Sequence, residues 1–440
     1  MGRKIYTCCF YCEWGLDMKK KYLIAKLVTR GRIENLIAFF WGVAIFLLPF
    51  NVFLVFWQPP FAIQGSFNIY ENFVVYASEL FIFLAFILWV YEWARGKIIF
   101  SKNERLILEA LIIVFFVGLF DAFKVVNFGF TLLHLFPFLA TIMVIWFMVK
   151  QVLPVLVVKK IFVASMSLQA ILVIIQIFLQ ESLGVFLLGE PLIGKVILGT
   201  AKIVIGDQSF IRAYGTFPHS NLLAGYALVA FFYVSSFFEI QKSSQYFWRI
   251  CQVIIAIAFL MAYSEAALLG LLIALFLTKK IKIYQGIFFL FVLVMLMLSS
   301  GHAFWQQQQV QDRVLYAKIS VNMLWHIPQG VGLAQFTDRM AEFSPIKLKP
   351  WQFQPVHNIY LLLVNEWGIN WGILVVVGIG YFIRRYWFRL NSWFLVLLLT
   401  FLVIGFFDHY LLSLYQGLML TGLLIGQVII QVRGVSTKLR

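Results

Sequence analysis

The chain has 440 residues, of which 62% are hydrophobic and 12% charged. A soluble domain carries about 25% charged residues, so this composition excludes a water-soluble fold for most of the chain and makes lipid its solvent. The formal net charge of +16 sits in short runs between apolar segments. That is the signature of membrane topology, and no long basic tail and no aromatic-basic interleaving on a soluble domain points to nucleic acid as a partner.

Residues 1–35 form a basic tail that holds Cys8, Cys9 and Cys12. The Cys9-x-x-Cys12 pair has no second pair to complete a zinc site, so these read as free thiols. Met18, followed by Lys19, Lys20 and Lys21, is an alternative start. No cleavable signal peptide is evident. A spanning helix needs about 20 apolar residues, and such segments occur near 36–57, 73–93, 106–123, 130–149, 161–180, 219–238, 284–300, 357–380, 392–407 and 411–430.

The run from Ile250 to Thr278 is either one span or a hairpin of two short helices turning at Ser264-Glu265. The positive-inside rule selects the hairpin, because it places most of the 35 Lys and Arg residues on one side. It also spares Glu265 a mid-bilayer position that costs about 3 kcal/mol or more. The expected fold is therefore all-α, a polytopic membrane helical bundle of about twelve spans with a large extracytoplasmic loop that contains helices. Both termini are expected in the cytoplasm. The division reads as a tail over 1–35, an N-terminal transmembrane bundle over 36–180, a second membrane domain over 181–430 with outer loops 181–218 and 301–356, and a tail over 431–440. The second loop carries Pro328, Pro345, Pro350 and Pro355, and Asp312 to Trp325 has helical apolar spacing. No internal repeat supports a transporter architecture.

Four polar patches fall at the expected outer face. They are Arg212-Ala213-Tyr214-Gly215-Thr216-Phe217 with Pro218-His219-Ser220-Asn221; Arg313 with Trp325-His326-Ile327-Pro328-Gln329-Gly330-Val331-Gly332; Val356-His357-Asn358-Ile359-Tyr360 with Glu366-Trp367-Gly368; and Asp408-His409-Tyr410 with Gln416-Gly417. Taken in this order they resemble the O-antigen ligase and O-antigen polymerase family of bacterial membrane glycosyltransferases, over about Arg212 to Gln416. The resemblance makes 181–430 an O-antigen ligase-related membrane domain. It implies a metal-independent, inverting transferase of the cytoplasmic (inner) membrane, with its site facing outside and no cofactor. Such an enzyme moves a glycan from an undecaprenyl pyrophosphate carrier to a hydroxyl acceptor. By motif position Arg212 and Arg313 resemble ligands of the carrier pyrophosphate and His357 the catalytic base; Asn358, His219 and Asp408 complete the candidate substrate-binding set. Two positions depart from the family pattern: Ser264-Glu265 stands where Ser-Arg is common, and Pro355 where a second His often precedes the His-Asn pair.

The chemistry of these residues agrees with that role. A leaving pyrophosphate develops negative charge, which a permanently protonated Arg can grip bidentately. A hydroxyl acceptor needs a base, and imidazole titrates near neutral pH. Plainer readings stand beside these. His219 with Ser220 and Asn221 reads as the cap of a span, Gly330 and Gly332 as turn formers, and Arg212 and Arg313 as cations for lipid headgroups. Asp408 reads as a cap or a functional carboxylate, and Glu366 as a partner of His357 or a paired carboxylate within the bundle. His357 acts alone or with His219, His326 or His409. The partners are the lipid-linked donor, membrane lipids and one of three acceptors: a lipid-core sugar, a growing polysaccharide or a protein hydroxyl. A transporter or flippase for polyprenyl-linked substrates is the alternative from another class.

Overall fold

The computed structural model describes residues 31–57, 70, 72–122, 128–197, 199–205, 208–237, 245–280 and 308–438. Cys8, Cys9, Cys12, Met18 and the expected span 284–300 lie outside the described residues. The described chain is mostly helical: α1 (Arg32–Leu47), α2 (Ala77–Ala94), α3 (Lys102–Ala122), α4 (Phe128–Lys150), α5 (Val155–Leu179), α6 (Ser220–Ser235), α7 (Gln245–Ala262), α8 (Glu265–Leu277), α9 (Gln308–His326), α10 (Phe336–Arg339), α11 (Ile359–Trp367), α12 (Ile369–Tyr386), α13 (Ser392–Phe407), α14 (Tyr410–Ser413) and α15 (Tyr415–Lys438). Four of the described helices, α2, α5, α7 and α15, are long and apolar enough to cross a membrane.

Five expectations are corrected. The segment 36–57 is not one helix, because α1 stops at Leu47. Pro49 has no N–H to continue the ladder, and the β-branched and aromatic run that follows pairs as a strand. This strand, β1 (Phe53–Trp57), is antiparallel to β2 (Phe73–Tyr76). A second hairpin, β3 (Lys202–Ile205) with β4 (Gln208–Ile211), lies in the expected outer loop, so the described fold is not purely α. The segment 357–380 is broken at Gly368 (φ 89°) into α11 and α12. The Pro328–Gly332 turn causes the break: a Cβ on Gly368 would lie 2.5 Å from the Gln329 carbonyl oxygen, and the Ile369 N–H donates to the Pro328 carbonyl. Two further expected spans are interrupted: 73–93 opens on β2 before α2 begins at Ala77, and 411–430 is broken at the extended Leu414 between α14 and α15. Helices do occupy the expected positions near 106–123, 130–149, 161–180 and 219–238. The helices α7 and α8 part at Tyr263-Ser264, and α13 covers the whole of 392–407.

The main core joins α1, α2, α4 to α8, α13 and α15. Nearly every side chain of α6 is buried, which makes it the central helix. A smaller core stands apart, built on Leu315, Tyr316, Ile319 and Met323 of α9, Phe336 of α10, and Val356 and Leu362. Spacings of one, three and four residues put the α9 members on one helical face. This makes 308–356 a cap folded against α11. Polar groups divide between the two ends of the bundle. Glu104 pairs with Lys150 at 3.3 Å and Arg433 at 3.8 Å, and Glu92 with Lys97 at 3.2 Å. Arg433 is about 27 Å along α15 from Tyr415 at a rise of about 1.5 Å per residue, and the residues His409 to Tyr415 belong to the opposite end.

Gly368→Ala is expected to destabilise by about 1–3 kcal/mol, from the left-handed backbone and the contact with Gln329. Gly378→Ala, which meets nothing within 4 Å, is the control. Thermal unfolding in detergent should separate the two variants, and equal midpoints would contradict the role given to the turn.

Candidate active site

Two glutamines on α5 position the first arginine. Gln176 accepts from the backbone N–H of Gly215 at 2.8 Å and donates to the Gly215 carbonyl at 2.9 Å. Two turns earlier, Gln169 accepts from Thr216 N–H at 3.0 Å and donates to the Thr216 hydroxyl at 2.7 Å. A buried amide side chain holds backbone firmly because leaving either partner unpaired costs the full desolvation penalty. On the other side of this turn Ala213 N–H donates to the Met261 carbonyl at 3.0 Å. The turn is thereby fastened to both α5 and the end of α7.

Arg212 emerges from this turn. Its Nε donates to the Ala262 carbonyl at 2.9 Å, and a terminal nitrogen donates to Asn221 Oδ1 at 2.5 Å. The guanidinium thus caps α7, where orphan carbonyls and the helix dipole favour a cation. Asn221 passes the connection on: its Nδ2 donates to Asp408 Oδ2 at 2.6 Å. Asp408 ends α13 and is buried; its other oxygen accepts from the N–H groups of His409 at 2.8 Å and Tyr410 at 3.4 Å. An Arg212–Asn221–Asp408 line therefore joins the ends of α7, α6 and α13.

Three imidazoles gather beside this carboxylate. His219 caps α6, with Nδ1 accepting from Asn221 N–H at 3.1 Å, as the cap reading expects. His409 contacts the Ser413 hydroxyl through Nδ1 at 2.5 Å. His357 stands perpendicular to His409 with ring centroids 4.7 Å apart, and lies parallel to the Tyr316 ring at 5.5 Å. Among the described residues the buried His357 Nδ1 has no hydrogen-bond partner. Tyr70 meets His409 edge-on at 5.7 Å.

The electrostatics follow from burial and charge. Burial pushes His357 down to about 3, assisted by His409 and Arg313 and opposed by Asp408 and Asp312. Burial likewise lowers His219 and His409 to about 4, against the pull of Asp408. Burial alone would raise the Asp408 carboxyl, but His409, His357, His219 and the Asn221 hydrogen bond outweigh it and hold the group down at about 2. The centre at neutral pH is thus one carboxylate among neutral imidazoles, with Arg212 bonded into it. Arg313 on α9 is exposed, yet its charge acts on His219, His357 and His409.

The structure thus gathers Arg212, Arg313, His219, His357 and Asp408. Asn358 adjoins them as the α11 cap: its Oδ1 accepts from Tyr360 and Leu361 N–H groups at 3.0 and 2.9 Å, and its Nδ2 donates to the Phe406 carbonyl at 3.2 Å. His326 is elsewhere, at the far end of α9, roughly 20 Å along the axis from Arg313. Asn221 and His409 also belong to the centre; the sequence offers them as a cap residue and a partner of His357, outside the substrate-binding set. Tyr316 and Tyr70 belong to it too and are not among the candidates, although Tyr316 could have been found from its place one helical turn after Arg313.

A cleft of about 140 Å³ adjoins the centre at Tyr70, Pro355 and Ser413. Its walls are mostly apolar, from Phe73 and Val74 of β2, Pro137 and Phe138 of α4, Leu362 and Leu363 of α11, and Leu418 of α15. The polar side chains Asn72, His134, Thr337 and Glu366 also line it.

The fold and site together define a mostly helical protein, with four described helices long and apolar enough to cross a membrane and a buried Arg–Asn–Asp–His centre at one end of the bundle. No family model matches the chain, and neither a curated protein nor a solved structure matches it.

Two outcomes are expected. The lowered histidines bind protons in the unfolded chain from about 6.5 downward and in the folded protein only near 4 and below. Stability is therefore full above about 6.5 and falls with acidification, by about 1 kcal/mol per histidine at pH 5.5. Thermal midpoints between pH 7.5 and 5 measure this, and the slope should flatten in His219→Gln/His409→Gln. Asn221→Ala, which leaves Arg212 and buried Asp408 without their link, should cost about 2–3 kcal/mol. An unchanged midpoint would contradict the role given to Asn221.

Proposed function

We propose that the chain is a bacterial inner-membrane glycosyltransferase of the O-antigen ligase type, a bundle of about twelve spans with its site facing outward and 301–356 as an outer cap. It transfers a glycan from an undecaprenyl pyrophosphate carrier to a hydroxyl acceptor. The observation that carries this reading is the convergence of Arg212, Arg313 and His357, residues from three separate sequence motifs, on one centre. The basic ends at Lys150 and Arg433 lie away from that centre, which supports an outward-facing site under the positive-inside rule.

In the proposed reaction the acceptor hydroxyl gives its proton to the neutral His357 imidazole. Its oxygen attacks the anomeric carbon while the bond from that carbon to the pyrophosphate oxygen breaks, and the configuration inverts. The electron pair leaves with the polyprenyl pyrophosphate, where Arg212 and Arg313 offset the developing charge. A base must be unprotonated to act, and burial keeps His357 so. The incoming diphosphate raises the basicity of His357 as the proton moves, since a nearby anion favours imidazolium. The apolar cleft beside Ser413 suits the isoprenoid chain of the carrier. The acceptor is a lipid-core sugar, a polysaccharide end or a protein hydroxyl, a choice made by loops around the site.

The test supplies a defined undecaprenyl-linked glycan and acceptor mixture to the protein in liposomes and identifies the product by mass spectrometry. His357→Ala is expected to lower turnover by about 10²–10⁴-fold, with insertion unchanged. Wild-type turnover in that variant would reject His357 as the base. Arg313→Ala should reduce transfer, with Arg313→Lys restoring only part of it. Chelators should leave transfer intact, whereas a strict need for added Mg²⁺ or Mn²⁺ would contradict the metal-independent reaction. Movement of the carrier across the bilayer without transfer would favour a flippase.

A further inference from the structure

The segment between α5 and β3 has two sides of opposite character. Its inner side is fastened. Glu190 is 5% exposed and accepts from Gln176 at 2.7 Å, Leu183 N–H at 2.7 Å and Val185 N–H at 2.9 Å. Ile193 is buried, and Gly189 (φ 80°) lies so close to Asn51 that any Cβ would overlap the Asn51 carbonyl. The outer side presents Phe186, Leu187, Leu192 and Val196, exposed by 57, 94, 65 and 89%. Apolar side chains this exposed on a braced loop are costly in water.

An exposed apolar stripe of α5 leads directly to them. Leu168, Ile171, Ile175 and Phe178, spaced by three and four residues, are all exposed and share one helical face. Lys159 and Lys160 mark the basic end of this helix. About 20 helical residues cross the hydrocarbon, so a crossing that starts at Lys160 ends near Leu179. The segment leaves the helix at that level. Lys195 and Lys202 border it, and the Lys195 ammonium lies 5.6 Å from the Phe210 ring centre, as at a boundary between acyl chains and phosphate headgroups.

We propose that Phe186–Val196 is an interfacial anchor that inserts its apolar side chains into the outer leaflet of the bilayer. The proposal rests on α5 crossing the membrane. The anchor fixes the depth of the site, because Gln176 holds both Glu190 and the Tyr214–Gly215 turn that presents Arg212. The partner is the lipid surface itself, and 181–218 is accordingly not a wholly aqueous loop.

The test is spin-label accessibility on the full chain in phosphatidylethanolamine–phosphatidylglycerol vesicles, with Cys8, Cys9 and Cys12 replaced by Ser and Cys251 by Ala. Nitroxides are placed singly at Leu187→Cys and Val196→Cys, with Phe178→Cys as the lipid reference and Lys318→Cys as the aqueous one. Positions 187 and 196 should show severalfold higher oxygen and lower nickel-chelate collision rates than 318, at a shallower depth than 178. Water-like values at 187 and 196 with a lipid-like 178 would overturn the anchor alone. A water-like 178 would instead overturn the crossing on which it rests. Spin–spin broadening at 187 that grows with protein density would mean a second copy covers this face, and would also overturn the anchor.

Discussion

The buried Asp408 carboxylate is the constraint around which the site is arranged. An ion removed from water costs several kcal/mol unless it is paired and hydrogen-bonded. Here the Asn221 amide and two backbone N–H groups meet that need, and Asn221 is itself bonded to Arg212. The partners come from chain segments far apart; Asn221 and Asp408 are 187 residues distant in sequence. Because each segment is a helix end, satisfying one carboxylate fixes the relative positions of α6, α7 and α13. The same line aims a guanidinium and three imidazoles into one volume.

Helix ends are natural places for such a centre in lipid. Backbone groups within the hydrocarbon must be satisfied inside the helix, whereas the first and last turns leave donors and acceptors open. Arg212 uses the carbonyl end of α7, His219 the amide end of α6, and Asn358 the amide end of α11. The interior of the bundle is mostly apolar, with a few hydrogen-bonded polar side chains such as Gln427 on Tyr233, and the charged groups of the site collect at its rim beside the 308–356 cap. His357 departs from this economy of partners: among the described residues its buried Nδ1 has no hydrogen-bond partner, as is also true of the Ser220 and Tyr410 hydroxyls. A ring nitrogen in that state gains a hydrogen bond when a hydroxyl arrives, which is the behaviour required of a base that waits for an acceptor.

Much of this arrangement was legible in the sequence. A uniformly apolar run bounded by Asn391 and Asp408 has one reading, and α13 fills it. Asn391 and Asp408 are the capping residues that bound it. The break at Ser264 was legible because charge balance and Glu265 both demanded it. The break at Gly368 was not, because it is made by the approach of Gln329 from the cap, a tertiary contact without a local signal. The strand at Phe53–Trp57 was hidden for a related reason: its residues are as apolar as a span, and only pairing with Phe73–Tyr76 distinguishes them. At the site, residue type and motif order singled out the charged members. Tyr316 and Tyr70 were missed, and Asn221 was read only as a cap, because a neutral side chain acquires its role from a partner that lies elsewhere in the sequence.

The central claim is that one centre holds a diphosphate between two guanidiniums and beside an imidazole. Its most direct test is an experimental structure of the protein in lipid nanodiscs with undecaprenyl pyrophosphate bound. The account predicts diphosphate density within hydrogen-bonding distance of both Arg212 and Arg313, with His357 facing the space next to it. Diphosphate bound away from both arginines, or Arg212 and His357 on opposite faces of the bilayer, would contradict it.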